Sequence, residues 1–442
     1  MIKAKSNNES SSINKWKISI ICIVYDVLMI YYELLNNALV GIVSALFAMY
    51  LFYLFSMKTN LFQALFYLMI IFIPTSFVSI IGTSYSEFPL TWFTLLTISL
   101  FLMVVFKGRL NKIYLLLIIF FAAFCSITLF RVENLSDAFK QILTIFLFLF
   151  SFSIGEYLKK FRSERFIKEM NFLYIMSVIG FSLQVLMQRF YILNTGKEIG
   201  HYTIYGVGRI TYGGLMNDFS FTTLYIATGA MLLLVLYFEE KRIKFYQLIL
   251  LEILLIYSIL IVNSRTGLYV FLILASFYII KKFITGNVKA LVIVMIVVVS
   301  LPYIFNYVML SRGGQALLDG SGRIDNYLYA LDVFSNHIFL GAGFGLNNLY
   351  LTTGAGAPHN FFIQYLAQAG LVGTLLLVSN LVILFRKNIN KTNNNRWIIY
   401  TVLFGSMFIP DIVSSRFLSV TIIMVIISSQ SNESEVKSIA KV

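Results

Sequence analysis

The chain has 442 residues, of which 59% are hydrophobic and only 12% charged, with a mean hydropathy of +0.83. Soluble domains carry about 25% charged residues, so this composition excludes a soluble globular enzyme and indicates an all-α polytopic membrane protein. The formal charge of +14 raises the question of nucleic acid, which the placement of the basic residues answers below.

Residues 1–16 are polar and lysine-containing, and no small-residue cleavage site follows them, so they read as a cytoplasmic tail rather than a removed signal. Apolar runs long enough to span a bilayer follow near 17–33, 38–56, 61–82, 91–106, 113–130, 138–156, 167–190 and 216–238. Six more lie near 245–262, 267–282, 288–308, 361–385, 396–411 and 412–430. Backbone amides in lipid must pair within their own segment, so these runs predict about fourteen (12–14) transmembrane helices. Residues 17–308 and 361–430 then form two helical blocks, with a Gly- and Tyr-rich outer loop at 191–215 and a long outer segment at 309–360. The tail at 431–442 returns to the cytoplasm. Cys22 and Cys125 sit in apolar runs and imply neither a disulfide nor a metal cluster.

With the N-terminus inside, 25 of the 34 basic residues fall on cytoplasmic loops, among them "KKFRSERFIK" at 159–168 and "KRIK" at 241–244. This is the positive-inside pattern of a multi-pass inner-membrane protein; it accounts for most of the net charge and removes nucleic acid as a partner. Seven of the nine remaining basic residues are arginines: Arg131, Arg189, Arg209, Arg265, Arg312, Arg323 and Arg416. Arginine presents a planar fork that matches phosphate oxygens, whereas lysine is a point charge. All three histidines, His201, His337 and His359, also fall outside. The outer face therefore reads as the chemical face, suited to an anionic ligand.

Three motifs concentrate there. "NSRTG" (263–267) places Arg265 at an outer turn, either snorkelling to water or held at headgroup depth to meet a phosphate. "RIDNYLYALDVFSNHIFLGAGFG" spaces Ile324, Tyr327, Leu328, Leu331 and Phe334 as the apolar stripe of a helix lying on the membrane surface, with Arg323 at its start and "GAGFG" stopping it. Arg312 is a weaker version of Arg323. "PHN" puts His359 where the long segment returns to the membrane, and an imidazole titrating near neutrality can accept a proton from a hydroxyl; a capping or core histidine is the alternative. Asp218 and Asp411, near outer helix ends, are secondary acid/base candidates, and Glu252 lies inside an apolar helix. The sequence has no H-E-x-x-H motif, paired cysteines or carboxylate cluster, so no metal and no cofactor is expected.

In this order the segments resemble the O-antigen polymerase and ligase superfamily, most closely Wzy-type polymerases of bacterial surface polysaccharides. The resemblance spans roughly 205–375 and rests on "GRITYGGLMNDFS", "NSRTG", the long Arg323 segment and "PHNFFIQYLAQAGLVG". Met216 stands where a proline is common in the family, so Asn217 carries less weight. The resemblance implies a GT-C-like, metal-independent membrane glycosyltransferase that takes a glycan from an undecaprenyl diphosphate carrier on the outer face of the inner membrane. It assigns Arg265 and Arg323 to the diphosphate and His359 to the acceptor hydroxyl, with Arg209, Arg312, Asn217 and Asn360 as secondary contacts. The expected reaction is polymerisation of lipid-linked repeat units in O-antigen or capsule synthesis, alongside a chain-length regulator and a flippase. A ligase acting on lipid A–core is the alternative, and a polysaccharide flippase is the alternative of another class.

Overall fold

The computed structural model describes residues 15–31, 37–80, 90–205, 209–241, 243–310, 323–354, 356–390 and 393–429. In chain order these form α1 (Lys15–Met29), α2 (Asn37–Ser56), α3 (Leu61–Ile71), α4 (Trp92–Phe106), α5 (Lys112–Thr128), α6 (Leu135–Leu158) and α7 (Glu164–Thr195). A two-stranded antiparallel hairpin follows, β1 (Tyr202–Tyr205) and β2 (Arg209–Tyr212). The chain continues through α8 (Phe219–Val235), α9 (Phe245–Val262), α10 (Arg265–Ile284), α11 (Val288–Leu310), α12 (Arg323–Asn336) and α13 (Leu346–Thr353). It ends with α14 (Phe361–Asn388), α15 (Arg396–Ser406) and α16 (Arg416–Ser428). Eight of these helices, α2, α5 to α10 and α14, are long and apolar enough to cross a membrane. The protein is an all-α multi-pass membrane protein, and each of the fourteen expected spans has a helix.

Helix α8 lies at the centre, buried along its whole length from Phe221 to Val235 and packed by α7, α9, α10 and α15. In lipid such contacts rest on close packing and interhelical hydrogen bonds, because the tails are as apolar as the side chains. Tyr174 and Thr228 share a hydrogen bond of 2.6 Å between α7 and α8, and Tyr225 donates to Ser177 at 2.8 Å. Polar layers close the two ends of the bundle. At one end the Asn134 amide donates to Asn348 Oδ1 (2.8 Å) and the Asn347 amide to Asp137 Oδ2 (2.8 Å). At the other, Asn388 Oδ1 accepts from Lys159 and Ser429, and Asn395 Nδ2 donates to Asn171 Oδ1.

Three expectations need adjustment. First, the run predicted as one span over 361–385 is broken at Gly370, whose φ of +60° and ψ of −165° interrupt the helix. A Cβ there would lie 2.5 Å from the Phe339 carbonyl, so only glycine fits. The amide groups of Leu371 and Val372 donate instead to the carbonyls of Ile338 and Phe339, while those of Ala342 and Gly343 donate to Ala367 and Gln368. A non-helical strand of backbone thus re-pairs the groups that the break frees. Second, Tyr327 leaves the predicted stripe of α12, whereas Ile324, Leu328 and Leu331 share one exposed face. Ala330 and Val333 are its buried positions, packed with Leu349 and Ala367, Ile324 and Leu328 are exposed, and Tyr327 turns towards His359. Third, the outer loop predicted from 191 begins after Thr195, and it holds the β-hairpin.

Candidate functional site

Arg265 is the first residue of α10. Asn263 ends α9 in the left-handed conformation (φ +58°), which lets the chain reverse within two residues. The turn is held by the hairpin beside it: Arg209 Nη2 donates to the Asn263 carbonyl at 2.6 Å, and Asn263 Nδ2 donates to the Ile210 carbonyl at 3.3 Å. The Arg209 guanidinium also lies 4.8 Å from the centre of the Tyr205 ring. The hairpin is in turn fixed to α7 by Gln188, which donates to the Ile199 carbonyl (2.6 Å) and accepts from the Gly214 amide (2.8 Å).

Across from this turn, Asp218 caps α8, its Oδ1 accepting from the amides of Ser220 (2.7 Å) and Phe221 (2.9 Å). A side-chain cap satisfies amides that the first helical turn leaves unpaired. Helices α8 and α10 meet at Gly267, whose amide donates to Thr223 Oγ1 at 3.2 Å. A Cβ on Gly267 would fall 2.3 Å from the Thr223 carbonyl carbon and oxygen. Helix α12 supplies Arg323 as its first residue and Tyr327 one turn later, on the same face. The Tyr327 hydroxyl donates to the His359 carbonyl at 3.0 Å. Asn360 then caps α14, accepting from the amides of Phe362 and Ile363, and its Nδ2 donates to the Met407 carbonyl.

These segments bring Arg209, Arg265, Arg323, Asp218 and His359 close enough that each charge perturbs its neighbours. Burial weakens the proton affinity of Arg209, and the charges of Arg265 and Arg323 add to the effect. Arg323 is shifted the same way by burial and by Arg265, against the opposing pull of Tyr327 and Asp218. Burial, with Arg323 beside it, pushes the His359 imidazole below its ordinary value, while Asp218 acts in the other direction. The His359 ring is thereby held neutral. Its Nδ1 is buried and has no hydrogen-bond partner among the described residues; such an orphan costs about 1–3 kcal/mol. Three guanidiniums, a helix N-terminus and a neutral imidazole can together bind a multiply charged anion and accept a proton beside it.

The structure sets Arg323 beside Arg265 and His359, and it sets Arg209, expected as a secondary contact, beside Arg265 and Arg323. Arg312 lies outside the described residues. Asn217 is exposed beside Asp218, and the described contacts of Asn360 cap α14 and tie it to the Met407 carbonyl. Asp411 is buried away from the cluster, accepting from the Tyr365 hydroxyl at 2.7 Å. His201 stacks on Phe219 (4.2 Å) beneath the hairpin. Sequence reasoning missed Tyr327, although its position four residues after Arg323 puts both on one helical face. Among the described residues, no group of three or more His, Cys, Asp or Glu side chains assembles as a metal site.

A comparison with curated proteins finds no match. Residues 250–378, however, match the family model described as O-antigen ligase. The matched stretch runs from within α9 to within α14 and contains Arg265, Arg323 and His359, whereas Arg209 and Asp218 precede it. It is under a third of the chain, and it supports placing this protein in the O-antigen ligase and polymerase superfamily, whose members transfer glycans at a membrane.

Proposed function

We propose that the protein is a polysaccharide polymerase, transferring a growing glycan from undecaprenyl diphosphate to a hydroxyl of another lipid-linked repeat unit. The observation that carries this reading is the clustering of Arg209, Arg265 and Arg323, from three separate elements, with Arg323 also beside the His359 imidazole. A diphosphate at the end of a lipid is the anion such a cluster would meet at headgroup depth. In the proposed reaction His359 accepts the proton of the acceptor hydroxyl as its oxygen attacks the anomeric carbon. The bond from that carbon to the diphosphate oxygen breaks, and the electron pair leaves on the lipid diphosphate. Arg265, Arg323 and Arg209 stabilise the charge gathering there, which is electrostatic catalysis by preorganised donors. Asp218 favours the imidazolium that forms and so eases the proton transfer. The orientation proposed from the charge pattern puts this site on the outer face of the inner membrane, with both termini in the cytoplasm.

The test is complementation of a polymerase-deficient strain with wild type and with His359→Ala, Arg265→Ala and Arg323→Ala, with membrane levels of each protein checked. Wild type is expected to restore a ladder of glycan lengths. Removing one preorganised donor costs about 100- to 1,000-fold in rate, so the variants should leave the single-unit product. A normal ladder from His359→Ala would overturn its role as base. Wild type that modifies lipid A–core without making a ladder would convert the reading to a ligase, and transport of intact units without transfer would convert it to a flippase.

A further inference from the structure

A polar cavity of about 390 Å³ lies at the far end of α7 from the hairpin. Asn171 of α7 and Asn395, which precedes α15, line it, and each is only 1% exposed. Asn395 Nδ2 donates to Asn171 Oδ1 (3.0 Å) and to Ser428 Oγ (2.8 Å), which fixes both amides. Asn171 Nδ2, a donor, and Asn395 Oδ1, an acceptor, are then buried without a hydrogen-bond partner among the described residues. Charges of both signs share the lining. Lys168 and Glu164 pair with each other across one turn of α7, whereas Arg162 and Glu240 bring one charge of each sign from separate segments. None of these residues belongs to the transfer site proposed above.

We infer that this cavity binds a zwitterion carrying a phosphate and a primary ammonium group, the chemistry of phosphoethanolamine. Arg162 and Asn171 Nδ2 donate to the phosphate, and Glu240 and Asn395 Oδ1 accept from the ammonium. The two unpaired amide atoms are of opposite polarity, and so are the two charges, which selects a ligand with both kinds of group. A simple anion would leave Asn395 Oδ1 unsatisfied and face Glu240; a simple cation would leave Asn171 Nδ2 unsatisfied and face Arg162. The arginine fork matches phosphate oxygens, and an ammonium group offers three N–H donors. Depth favours the same chemistry. Helix α7 has 32 residues and is about 48 Å long, whereas the hydrocarbon core is about 30 Å thick. Its polar first turns, with Glu164, Lys168 and Asn171, therefore reach the headgroup layer, on the cytoplasmic side in the orientation proposed above. A phospholipid headgroup and a soluble phosphoethanolamine compound are the two sources of this group.

The experiment uses the full chain in nanodiscs of phosphatidylcholine, whose trimethylated headgroup has no N–H donor. Titration calorimetry with water-soluble glycerophosphoethanolamine is expected to show saturable binding, one molecule per chain. Glycerophosphocholine and glycerol 3-phosphate, which lack the ammonium donors, should each bind about tenfold more weakly, the effect of losing a hydrogen bond to a charged group. Arg162→Gln, at an exposed position, should weaken glycerophosphoethanolamine to a similar degree, and Lys107→Gln, exposed but outside the cavity, should not. Asn171→Asp keeps the oxygen that accepts from Asn395 and replaces the unpaired donor with an oxygen that repels phosphate, so it should abolish binding; thermal unfolding reports whether it folds, and Arg162→Gln decides the matter if it does not. No saturable binding by wild type, equal affinity for the three ligands, or an affinity unchanged in Arg162→Gln would overturn the inference. Replacing half of the phosphatidylcholine with phosphatidylethanolamine then separates the sources: competition with the soluble ligand supports a lipid headgroup as the occupant, and an unchanged affinity supports a soluble one. Glycan transfer is not measured in any arm, so failure here leaves the transfer reading standing, and failure of that reading leaves this site to be judged by its own binding.

Discussion

Gly267→Ala is the most discriminating single perturbation of the site, because it leaves every charged residue in place. Its Cβ would sit 2.3 Å from two backbone atoms of Thr223 and 2.5 Å from the Thr223 Cβ. Ordinary contact between such atoms begins near 3.4 Å, and backbone cannot swing aside, so α8 and α10 must separate by about 1 Å at this point. Overpacking of a closely fitted interface costs about 1–3 kcal/mol, offset by roughly 1 kcal/mol from the better helix propensity of alanine. The net loss is about 0–2 kcal/mol. The larger effect is on geometry: Arg265 lies two residues before Gly267 and Asp218 five before Thr223, so the separation carries Arg265, the proposed diphosphate contact, away from the Asp218 cap. A misplacement of about 1 Å can cost 100-fold in rate. The assay is glycan transfer by purified, reconstituted protein, read together with its thermal unfolding. The expected result is a modest fall in thermal stability and a rate lowered by about 100-fold per folded molecule. A destabilised variant with an unchanged rate per folded molecule would refute the reasoning, as would one with wild-type stability and rate.

Other perturbations probe the base and its setting. Because burial and Arg323 lower the His359 pKa, kcat/KM should fall on the acid side only below the ordinary histidine range, and it should hold through neutral pH. Asp218→Asn keeps the helix cap, since an asparagine oxygen still accepts from Ser220 and Phe221, but it removes the charge that favours the imidazolium; the acid limb should move to still lower pH, and a pH–rate profile with an unmoved limb would remove Asp218 from the electrostatics of His359. Tyr327→Phe deletes the 3.0 Å bond to the His359 carbonyl. A net hydrogen bond is worth about 0.5–1.5 kcal/mol, so kcat should drop about two- to tenfold with little change in expression or in KM for the donor; an unchanged kcat would show that the turn holds His359 without it.

The helices were legible because hydropathy is a strong and local signal: α5, α7, α8 and α9 each follow an apolar run in the sequence. The break in α14 was not legible. Gly370 sits inside an apolar run, and what forces its positive φ is the Ile338–Gly343 backbone, a partner distant in sequence. The site divides in the same way. Arg265 lies at a tight turn between two apolar runs and His359 directly before one, where charge is unusual, and Arg323 opens a helix whose spacing was visible, so each could be singled out. Arg209 has the same residue type but owes its position to a hairpin too short to show a clear alternation. Tyr327 was assigned to the apolar stripe by its spacing alone, since periodicity cannot say which of several faces a neighbour will claim. Asp411 had the depth of an acid/base candidate, and its buried carboxylate accepts from Tyr365 and Gln141, partners distant in sequence.

The setting of Arg209 has a bearing on how quickly an anion can be exchanged. Both contacts described for its side chain, the Asn263 carbonyl and the Tyr205 ring, are with uncharged groups. An arginine locked to a carboxylate must first surrender that counterion before it can take a phosphate, and must recover it when the phosphate leaves. Arg209 is instead parked on a dipole and a π-face, which fix its direction without neutralising it. In the proposed site, an anion arriving at this corner would displace no carboxylate from the described contacts of Arg209.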